Sequence, residues 1–452
     1  KKGKIVIVGD VGMNIPRGPF YTKEIDLKIS CSYGPGRYDP SYEENGNDYP
    51  YPYVRWTENR NMQSVLQLVS TGRLDLKAIT THIFSLEEAT KAYDLITGKI
   101  NEKYLGILLK YNEKSERLKS ITLKESKPQG NISIGFIGLG TFAQNHLLPH
   151  IQRAGVHLSG VANQTPSSSK TSADKFGFDF YASDFKELIN DKRTNTIFCA
   201  SRHDSHFSAV MDSIKADKPI FVEKPLCVEL DQLNKIIETA KDNDPRIMCG
   251  FNRRFSKSFR TIKDFYRGRN YPLTMIYRVN AGFIPLESWI QQPNQGGRII
   301  GECCHFIDTM VYMTDSLPVK VYAECVSSNS KTLSNRDNVI ITLKFGDGSV
   351  GTLIYTASGD SSLDKEYFES HSEKKSALMN NFQEVILYNN SAKKIIKMDG
   401  TKGIDNEVKE FLDCVKNGKL LPISFKEIIS VTNTTFAALE SLETGSAVFF
   451  EQ

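Results

Sequence analysis

Residues 132–143 read Ile-Ser-Ile-Gly-Phe-Ile-Gly-Leu-Gly-Thr-Phe-Ala, so an apolar strand runs directly into Gly138-x-Gly140-x-x-Ala143. A helix-like stretch follows, and then a second apolar strand at 156–162. Gly138 allows a tight turn, Gly140 lets a pyrophosphate approach the backbone, and Ala143 is small enough for close packing of helix on strand. The stretch predicts a dinucleotide-binding turn with the phosphates at the helix N-terminus. An ordinary turn between a strand and a helix is the alternative interpretation.

Length and composition restrict the class of protein. A chain of 452 residues predicts about three domains, at roughly 150 residues each. The net charge of +4 is too small to indicate a nucleic-acid partner, and no apolar run reaches the ~18 residues of a membrane span. The eight cysteines include no Cys-x-x-Cys pair, so neither a zinc site nor a disulfide framework is predicted. With no signal peptide at the start, we expect a cytoplasmic protein without a membrane partner.

The chain divides into three predicted parts joined by one linker. Residues 1–115 begin with a buried-strand pattern at 4–8 and contain a Ser85-x-x-Glu88 capping box. Residues 116–130 read as an exposed linker, with a short strand around 121–123 as the alternative. In 131–250, strands and helices alternate, which is typical of a doubly wound parallel sheet. In 251–452, strands with two-residue alternation flank the Gly346-Asp-Gly348 hairpin signal, which predicts an antiparallel sheet.

Two polar clusters follow predicted parallel strands, at the sheet edge where ligands bind in open α/β folds. Glu223-Lys224-Pro225 places a lysine that could face a nicotinamide or a substrate hydroxyl; a surface charge pair is the alternative. Residues 200–206 contain His203 and His206, three positions apart. The ring of His206 could be structural, and a metal site is disfavoured because no third ligand lies nearby in sequence.

A third cluster runs from Gly296 to Asp308. On a helix, Gly301, His305 and Asp308 would share one face. A buried histidine beside a carboxylate can exchange a proton near neutral pH. A core histidine with no chemical role is the alternative.

Together these blocks resemble the glucose–fructose oxidoreductase / inositol dehydrogenase (Gfo/Idh/MocA) family over about 131–450. Gly250-Phe-Asn-Arg253-Arg254-Phe255 is a further matching block. The resemblance implies a Rossmann domain followed by an α+β domain with an open, mostly antiparallel sheet that often forms the oligomer interface. It also implies an NAD(P)-dependent oxidoreductase acting on a sugar, nucleotide sugar or cyclitol, with Lys224 and His305 as catalytic residues.

The resemblance extends to two sets of binding residues. The cofactor set is Gly138, Gly140, Thr141, Phe142, Ala143, Asn163, Ser201, Arg202, His203, His206, Glu223 and Lys224. The substrate set is Asn252, Arg253, Arg254, Trp289, Arg298 and Glu302. No metal ligands are predicted.

Two positions depart from the family pattern. Many members carry an aspartate four residues before the catalytic histidine, where this chain has Gly301, and the adjacent Glu302 points elsewhere on a helix. The second strand ends at Asn163 instead of an acid that would bind the ribose 2′-hydroxyl and repel a 2′-phosphate. We therefore expect the protein to accept NADP as well as NAD.

Residues 1–110 resemble a different family, the C-terminal end of a medium-chain, zinc-type alcohol dehydrogenase. Gly3–Gly9, the Tyr33-Gly-Pro-Gly-Arg37 loop and the segment 84–93 carry this resemblance. It implies a fusion of two oxidoreductases, cut inside the first, similar to proteins of bacterial surface-polysaccharide biosynthesis. A catalytically idle cofactor-binding module that regulates or scaffolds such a pathway is the alternative function.

Overall fold

The computed structural model describes residues 1–111, 119–124, 132–241, 245–330, 332 and 334–450. The chain forms two compact units, Lys1–Glu116 and Arg117–Gln452. Each unit has its own sheets and is described by itself. Within the described ranges, no helix combines the length and the apolar character needed to cross a bilayer.

The first unit contains two small parallel sheets and five short helices. Its strands pair as β1 (Lys4–Ile7) with β2 (Asp26–Ile29), and as β3 (Thr80–Ser85) with β4 (Gly106–Lys110). Its helices are α1 (Arg17–Lys23), α2 (Pro40–Glu43), α3 (Glu58–Ser70), α4 (Leu76–Ile79) and α5 (Ala89–Ile96).

Two predictions for the first unit are wrong. The strand predicted as buried at 4–8 forms as β1, but it is largely exposed within its unit because β2 is its one partner there. The Ser85 hydroxyl lies 3.5 Å from a Glu88 carboxylate oxygen and makes no capping hydrogen bond, because a 3₁₀ turn begins at this position. The predicted capping box is therefore absent.

The second unit begins with a seven-stranded sheet, in which six neighbouring strands are parallel. Its order is β11-β10-β9-β6-β7-β8-β5. The strands are β5 (Ser120–Thr122), β6 (Ser133–Ile137), β7 (His157–Ala162), β8 (Phe180–Ala182), β9 (Thr196–Cys199), β10 (Ile220–Val222) and β11 (Ile247–Cys249). The antiparallel edge strand β5 lies within the predicted linker, which confirms the alternative interpretation of that segment.

Helices connect these parallel strands, as the alternating pattern predicts. They are α6 (Leu148–Arg153), α7 (Pro166–Phe176), α8 (Phe185–Asn190), α9 (His206–Lys215) and α10 (Leu230–Ala240). The helix-like stretch after the glycine turn forms as a π-helical turn, Ala143–Leu147, followed by α6. The doubly wound Rossmann-type layer is confirmed.

The remaining residues form a nine-stranded, mostly antiparallel sheet ordered β19-β18-β17-β16-β12-β15-β14-β13-β20. Its strands are β12 (Thr274–Asn280), β13 (Pro318–Cys325), β14 (Val339–Phe345), β15 (Val350–Thr356), β16 (Glu366–Ser372), β17 (Lys375–Asn380), β18 (Glu384–Asn389), β19 (Ala392–Lys397) and β20 (Val448–Phe449). The predicted hairpin is β14 paired with β15.

Four helices complete this unit, namely α11 (Lys257–Phe265), α12 (Cys304–Thr314), α13 (Ile404–Asn417) and α14 (Phe425–Thr444). One hydrophobic cluster runs through both sheets and these helices. For example, Phe411 of α13 packs edge-on against Phe198 of β9 and Phe221 of β10. The carboxyl ends of the parallel strands are therefore held against residues that come later in the chain.

Candidate active site

The glycine loop after β6 has the geometry of a phosphate-binding turn. Gly138 has a φ of +77°, and a side chain there would lie 2.5 Å from the Cα of Ser201. Nothing lies within 4 Å of the position that a Cβ on Gly140 would take, so the backbone is open on that side. Thr141 and Phe142 are exposed beside it, and Ala143 is buried. The loop fits a dinucleotide, because a pyrophosphate needs this open approach to the backbone.

Asn163, at the end of β7, ties this loop to helix α7. Its side-chain oxygen accepts a hydrogen bond from the Leu139 amide at 2.7 Å. Its side-chain nitrogen donates to the Ser168 carbonyl at 3.1 Å and to the Ser172 hydroxyl at 2.9 Å. Asn163 is thus engaged with the protein itself, and it contributes no negative charge next to a ribose.

The turn after β9 holds Ser201, Arg202, His203 and His206. The Ser201 hydroxyl bonds that of Ser205 at 2.6 Å, and the exposed Arg202 guanidinium lies over the Trp289 ring. The ring of His206 is fully buried and contacts the backbone carbonyls of Pro225 at 2.7 Å and Ser201 at 3.2 Å. His206 therefore links two loops at the sheet edge instead of facing open space.

The Glu223-Lys224-Pro225 segment follows β10 at the same edge. Glu223 is 9% exposed, and its carboxylate accepts a hydrogen bond from the Lys224 amide at 3.3 Å. Burial raises the pKa of Glu223 to about 7. The Lys224 side chain is half-buried, and its charge lowers the pKa of His203 and of His305.

His305 lies in the first turn of α12, directly after a second π-helical turn, Ile299–Cys303. The imidazole is 7% exposed, and its Nδ1 has no hydrogen-bond partner among the described residues. Burial lowers the pKa of His305 well below its usual value, and the charges of Arg253 and Lys224 lower it further. The ring is therefore neutral near pH 7, and the same burial and charges disfavour its protonated form.

Asp308 lies on α12 with His305, as the helical spacing predicts, but it makes no hydrogen bond to the Nδ1 of His305. Its two oxygens accept hydrogen bonds from Arg254, one from Nε at 2.9 Å and one from Nη2 at 2.5 Å. Both side chains are buried. The expected histidine–carboxylate pair is therefore wrong, because both oxygens of Asp308 are bound by Arg254. Glu427 of α14 extends this buried ion pair, with its Oε1 3.0 Å from Nη1 of Arg254.

Gly301 lies against His203. A Cβ at Gly301 would lie 2.8 Å from Cε1 of His203, which is closer than real Cβ atoms approach other atoms. The His203 ring is 5% exposed, its Nδ1 donates to the Gln295 carbonyl at 2.8 Å, and Trp289 packs against it edge-on. Burial, followed by the charge of Lys224, lowers the pKa of His203 to about 3. A neutral imidazole therefore fills the space that an acid at this position would need.

Of the predicted substrate residues, Asn252, Arg253 and Arg254 are buried in contacts within the chain. The Asn252 amide donates to the Lys402 carbonyl at 3.0 Å. Arg253 binds both oxygens of Glu366, at 3.0 and 3.2 Å, and Arg254 binds Asp308 as described. Direct substrate contact by these three residues stays a prediction, and the structure gives both guanidinium groups a buried carboxylate partner.

The other three predicted substrate residues, Trp289, Arg298 and Glu302, differ in exposure. Trp289 is 38% exposed, while Arg298 is buried and donates to the Gly282 carbonyl at 2.6 Å. The Glu302 carboxylate accepts from the Tyr355 hydroxyl at 2.7 Å. Although burial opposes ionisation, the charges of Arg298 and Lys224 lower the pKa of Glu302. The charge of Lys224 thus acts on His203, His305 and Glu302 alike.

Four residues of this site were missed by the sequence analysis, namely Tyr355, Lys365, Glu366 and Lys402. The sequence held a signal for Glu366, because it lies two residues before Phe368 on β16, on the same buried face of the strand. A charged residue on a buried face indicates a buried ion pair or a functional group. Lys402 and Lys365 offered none, since each lies in a polar stretch without a motif. In the described part of the chain, no group of three or more histidine, cysteine, aspartate and glutamate residues could hold a metal ion.

A glycine loop open to a dinucleotide, with a lysine and a neutral histidine beside it, defines a nucleotide-dependent oxidoreductase. Comparison with protein families agrees. Residues 132–251 match the oxidoreductase family with an NAD-binding Rossmann fold (GFO_IDH_MocA), and residues 268–371 match the GFO/IDH/MocA C-terminal domain. These two ranges of the chain therefore match the two domains of the Gfo/Idh/MocA oxidoreductase family in order.

Curated relatives are similar to about half of this chain. Myo-inositol 2-dehydrogenase of Thermotoga maritima is 26% identical over 227 residues, which cover 49% of this chain and 67% of that protein. The uncharacterized oxidoreductase YrbE of Bacillus subtilis is 24% identical over 230 residues, covering 49% and 66%. The chain thus spans about two thirds of the length of these relatives.

Solved structures share the fold. A levoglucosan dehydrogenase in complex with NADH and levoglucosan has a TM-score of 0.62 at 20% identity, covering 71% of this chain and 100% of that one. An oxidoreductase from Agrobacterium radiobacter in complex with NAD⁺, L-tartaric acid and magnesium also has a TM-score of 0.62, at 16% identity, covering 71% and 98%. The resemblance of residues 1–110 to zinc-type alcohol dehydrogenases has no counterpart in these matches.

Proposed function

We propose that this protein is an NAD(P)-dependent dehydrogenase acting on a CH–OH group of a sugar, a nucleotide sugar or a cyclitol. One observation carries the proposal. Lys224, at the carboxyl end of β10, acts electrostatically on His305 of α12, whose Nδ1 has no partner in the described structure. The charge of the lysine at the end of β10 thus acts on a histidine of α12 whose ring nitrogen is available for proton exchange.

The nicotinamide ring, when bound, supplies the hydride acceptor or donor for this chemistry. Lys224 is placed to bind the reacting hydroxyl and to stabilise negative charge on its oxygen. His305, held neutral by burial and by neighbouring cations, accepts the hydroxyl proton at Nδ1. Hydride transfer requires the reacting atoms to lie within ~3–3.5 Å, the separation of a near-attack geometry.

The cofactor of the family is NAD, and we propose that NADP is accepted equally well here. Asn163 places no acid at the end of β7, and its amide is engaged with Leu139, Ser168 and Ser172. A 2′-phosphate would therefore meet no repelling charge from this residue.

We also propose that the chain self-associates through the outer face of its nine-stranded sheet. Ile276, Tyr322 and Ile340 are each about 40–50% exposed there, on three different strands. Self-association would cover this apolar surface. Sedimentation analysis of the wild type and of Ile340→Glu tests this, because a charge in the interface should shift the protein towards the monomer.

A role in surface-polysaccharide biosynthesis and a first part derived from a zinc-type alcohol dehydrogenase are proposals that rest on sequence resemblance. The second candidate function is an idle cofactor-binding module within such a pathway. The glycine at 301 favours this candidate, because the acid that many relatives place there is missing and His203 fills its space.

Turnover distinguishes the two functions. The full chain is incubated with NAD or NADP and a panel of myo-inositol, free sugars and nucleotide sugars, and nicotinamide reduction is followed by absorbance. On an active substrate, Lys224→Ala and His305→Ala should each lower kcat about 10²–10⁴-fold. Lys186→Ala and His371→Ala, which change an exposed lysine and a half-buried histidine elsewhere, are the matched controls. Cofactor binding without turnover of any compound favours the idle module.

A further inference from the structure

Helix α13 carries a buried carboxyl group that the proposed reaction does not use. Glu407 is 1% exposed, and neither of its side-chain oxygens has a hydrogen-bond partner among the described residues. A buried carboxylate without hydrogen bonds is costly, so such a group either keeps its proton or faces a group with which it can share one. The position of Glu407 in the fold identifies that group.

Helix α13 runs antiparallel to strands β10 and β11. Its first turn lies on the turn that follows β11, where the Asn406 amide donates to the Phe255 carbonyl at 3.0 Å. A Cβ on Gly403 would lie 2.5 Å from the backbone of that same turn. Near the other end of the helix, the Cys414 carbonyl accepts a hydrogen bond from Arg246, which precedes β11. The N-terminus of α13 therefore lies at the carboxyl ends of these strands.

This direction brings Glu407 opposite Glu223. Phe411 lies one turn after Glu407 on the same buried helix face, and its ring packs against that of Phe221 with the centroids 5.7 Å apart. Phe221 and Glu223 point to one face of the strand, because the Glu223 amide continues the strand pairing to the Cys199 carbonyl at 2.8 Å. Four residues back along the helix and two residues forward along the strand each cover about 6–7 Å. The two carboxyl groups therefore face each other across the end of β10.

The Glu223 carboxyl also contacts the backbone next to the proposed site. Its Oε2 accepts a hydrogen bond from the Lys224 amide at 3.3 Å, and a Cβ on Gly250 would lie 2.9 Å from the same oxygen. Phe251, the residue after Gly250, packs edge-on against the His305 ring with the centroids 6.3 Å apart. The Glu223 carboxyl thus lies between the backbone of Lys224 and the strand end that leads to the His305 contact.

The arginines next to these two carboxyl groups are engaged by other acids. Arg253, in the turn after β11, forms an ion pair with Glu366. Arg254 forms one with Asp308 of α12. Lys224 supplies one positive charge of its own. Two ionised carboxylates at the end of β10 would therefore leave a buried negative charge without a counter-charge, which is strongly unfavourable.

The protonation of the two groups follows from these surroundings. Burial raises the pKa of Glu407 well above its ordinary value, and the charges of Glu223 and Asp308 raise it further, while those of the two arginines lower it. Burial raises the pKa of Glu223 to about 7, against the charge of Lys224. Three buried thiols nearby stay uncharged because burial raises the pKa of each, namely Cys199, Cys249 and Cys304. At neutral pH the two carboxyl groups therefore hold at least one proton between them.

We infer that Glu407 and Glu223 share a proton across the end of β10 and that this carboxyl pair positions Lys224 for the proposed reaction. The O–H of one group donates to the carboxylate of the other, which gives both buried side chains a partner. The Glu223 carboxylate held in this way accepts the Lys224 amide hydrogen bond. Glu407 is thus a positioning residue that acts through Glu223. The inference rests on the proposed function, in which Lys224 binds the reacting hydroxyl.

Urea unfolding of the full chain between about pH 5 and pH 8 tests the shared proton without requiring turnover. Because the pair holds its proton more tightly in the folded chain, the free energy of unfolding of the wild type should fall as the pH rises through 7. Groups that share a proton titrate as a unit. Glu407→Gln and Glu223→Gln should therefore each flatten this fall by a similar amount, and the double variant should flatten it no further. Additive effects would show two independent carboxyl groups and overturn the pair.

The matched control is Glu410→Gln on the same helix. Glu410 is half-buried and forms an ion pair with Arg260 instead of facing β10. Its substitution removes an equal charge from α13 and should leave the pH dependence of unfolding as in the wild type. An effect of Glu410→Gln as large as that of Glu407→Gln would assign the pH dependence to the charge of the helix and overturn the pair.

Hydrogen exchange of the Lys224 amide tests the positioning role. Glu407→Leu removes the hydrogen bond to Glu223 but keeps the site filled, so exchange should become about fivefold faster, as expected for the loss of one hydrogen bond. Glu407→Gln offers an N–H donor in place of the acid O–H and should retain the wild-type rate. On an active substrate, kcat at neutral pH should fall by at least about fivefold in Glu407→Leu and be restored in Glu407→Gln. The KM for the nicotinamide cofactor should not change.

The outcomes separate this inference from the proposed function. Wild-type exchange at Lys224 in Glu407→Leu, or a wild-type kcat of this variant on an active substrate, would overturn the positioning role and leave the dehydrogenase intact. Non-additive pH dependence with faster exchange in Glu407→Leu, but no turnover of any compound, would retain the carboxyl pair and contradict the dehydrogenase.

Discussion

The contact between Gly301 and His203 predicts that a side chain at position 301 is not tolerated while His203 is present. A Cβ would lie 2.8 Å from Cε1 of His203, whereas carbon atoms pack at ~3.5–4.0 Å. The ring must therefore move by roughly 1 Å. That movement is opposed by the hydrogen bond to the Gln295 carbonyl and by the Trp289 contact.

The size of the effect follows from these contacts. Overpacking costs ~1–3 kcal/mol, and loss of the Gln295 hydrogen bond costs ~1 kcal/mol. Gly301→Ala should thus lower the free energy of unfolding by about 2–4 kcal/mol, less up to ~1 kcal/mol that alanine regains over glycine within a helix. Gly301→Asp should cost at least as much, because it also buries a carboxylate.

A double-mutant cycle measured by urea unfolding tests the reasoning. In a His203→Ala background the obstructing ring is gone, so Gly301→Ala should be neutral or stabilising. The coupling free energy between the two positions should be about 2 kcal/mol or more, within the range for residues in direct contact. If Gly301→Ala costs the same in both backgrounds, then His203 does not occupy this space. His203→Ala with Gly301→Asp also tests whether an acid at 301 raises turnover once room is made for it.

Three further predictions concern the cofactor, the pH dependence and the first unit. Calorimetry should show that the wild type binds NADP at least as tightly as NAD. Asn163→Asp should weaken the binding of NADP and not that of NAD. Tenfold tighter binding of NAD to the wild type, a difference of about 1.4 kcal/mol, would contradict this prediction. The pKa of Glu223 is about 7 in the folded protein, against an ordinary value of 4.5. The contribution of Glu223 to the free energy of unfolding is therefore fully present below pH 4.5 and is lost as the pH rises through 7. Glu223→Gln should therefore remove up to ~3 kcal/mol of the fall in unfolding free energy between about pH 5 and pH 8. Residues 1–115 alone should not form a stable, monomeric and cooperatively melting domain, because Ile5 and Val6 are 43% and 53% exposed on a two-stranded sheet. Circular dichroism and size-exclusion chromatography check this. A monomer with a sharp thermal transition would show that the unit is stable by itself.

Local sequence patterns were sufficient for the Rossmann-type layer. Strands β6 and β7 form where the sequence predicts them, before and after the glycine turn, and the β14–β15 hairpin forms around the predicted Gly346-Asp-Gly348 turn. Apolar runs, alternation and glycine turns are properties of neighbouring residues, so they can be read without knowing which distant elements meet. The buried-strand pattern of 4–8 shows the limit of this reasoning, because burial depends on partners that a strand does not itself encode.

The sequence by itself determined the position of the cofactor loop, the two parallel-strand ends that face it, and the choice of Lys224 and His305 as candidates. The tertiary structure alone decided the partners of the charged side chains. Asp308 forms an ion pair with Arg254 and none with His305. Glu366 forms ion pairs with Arg253 and Lys402. The ring of His203 fills the space next to Gly301. These contacts join segments tens to more than a hundred residues apart. A buried charge pairs with whichever group the packed sheets and helices bring near it, and that choice is made by the folded chain as a whole.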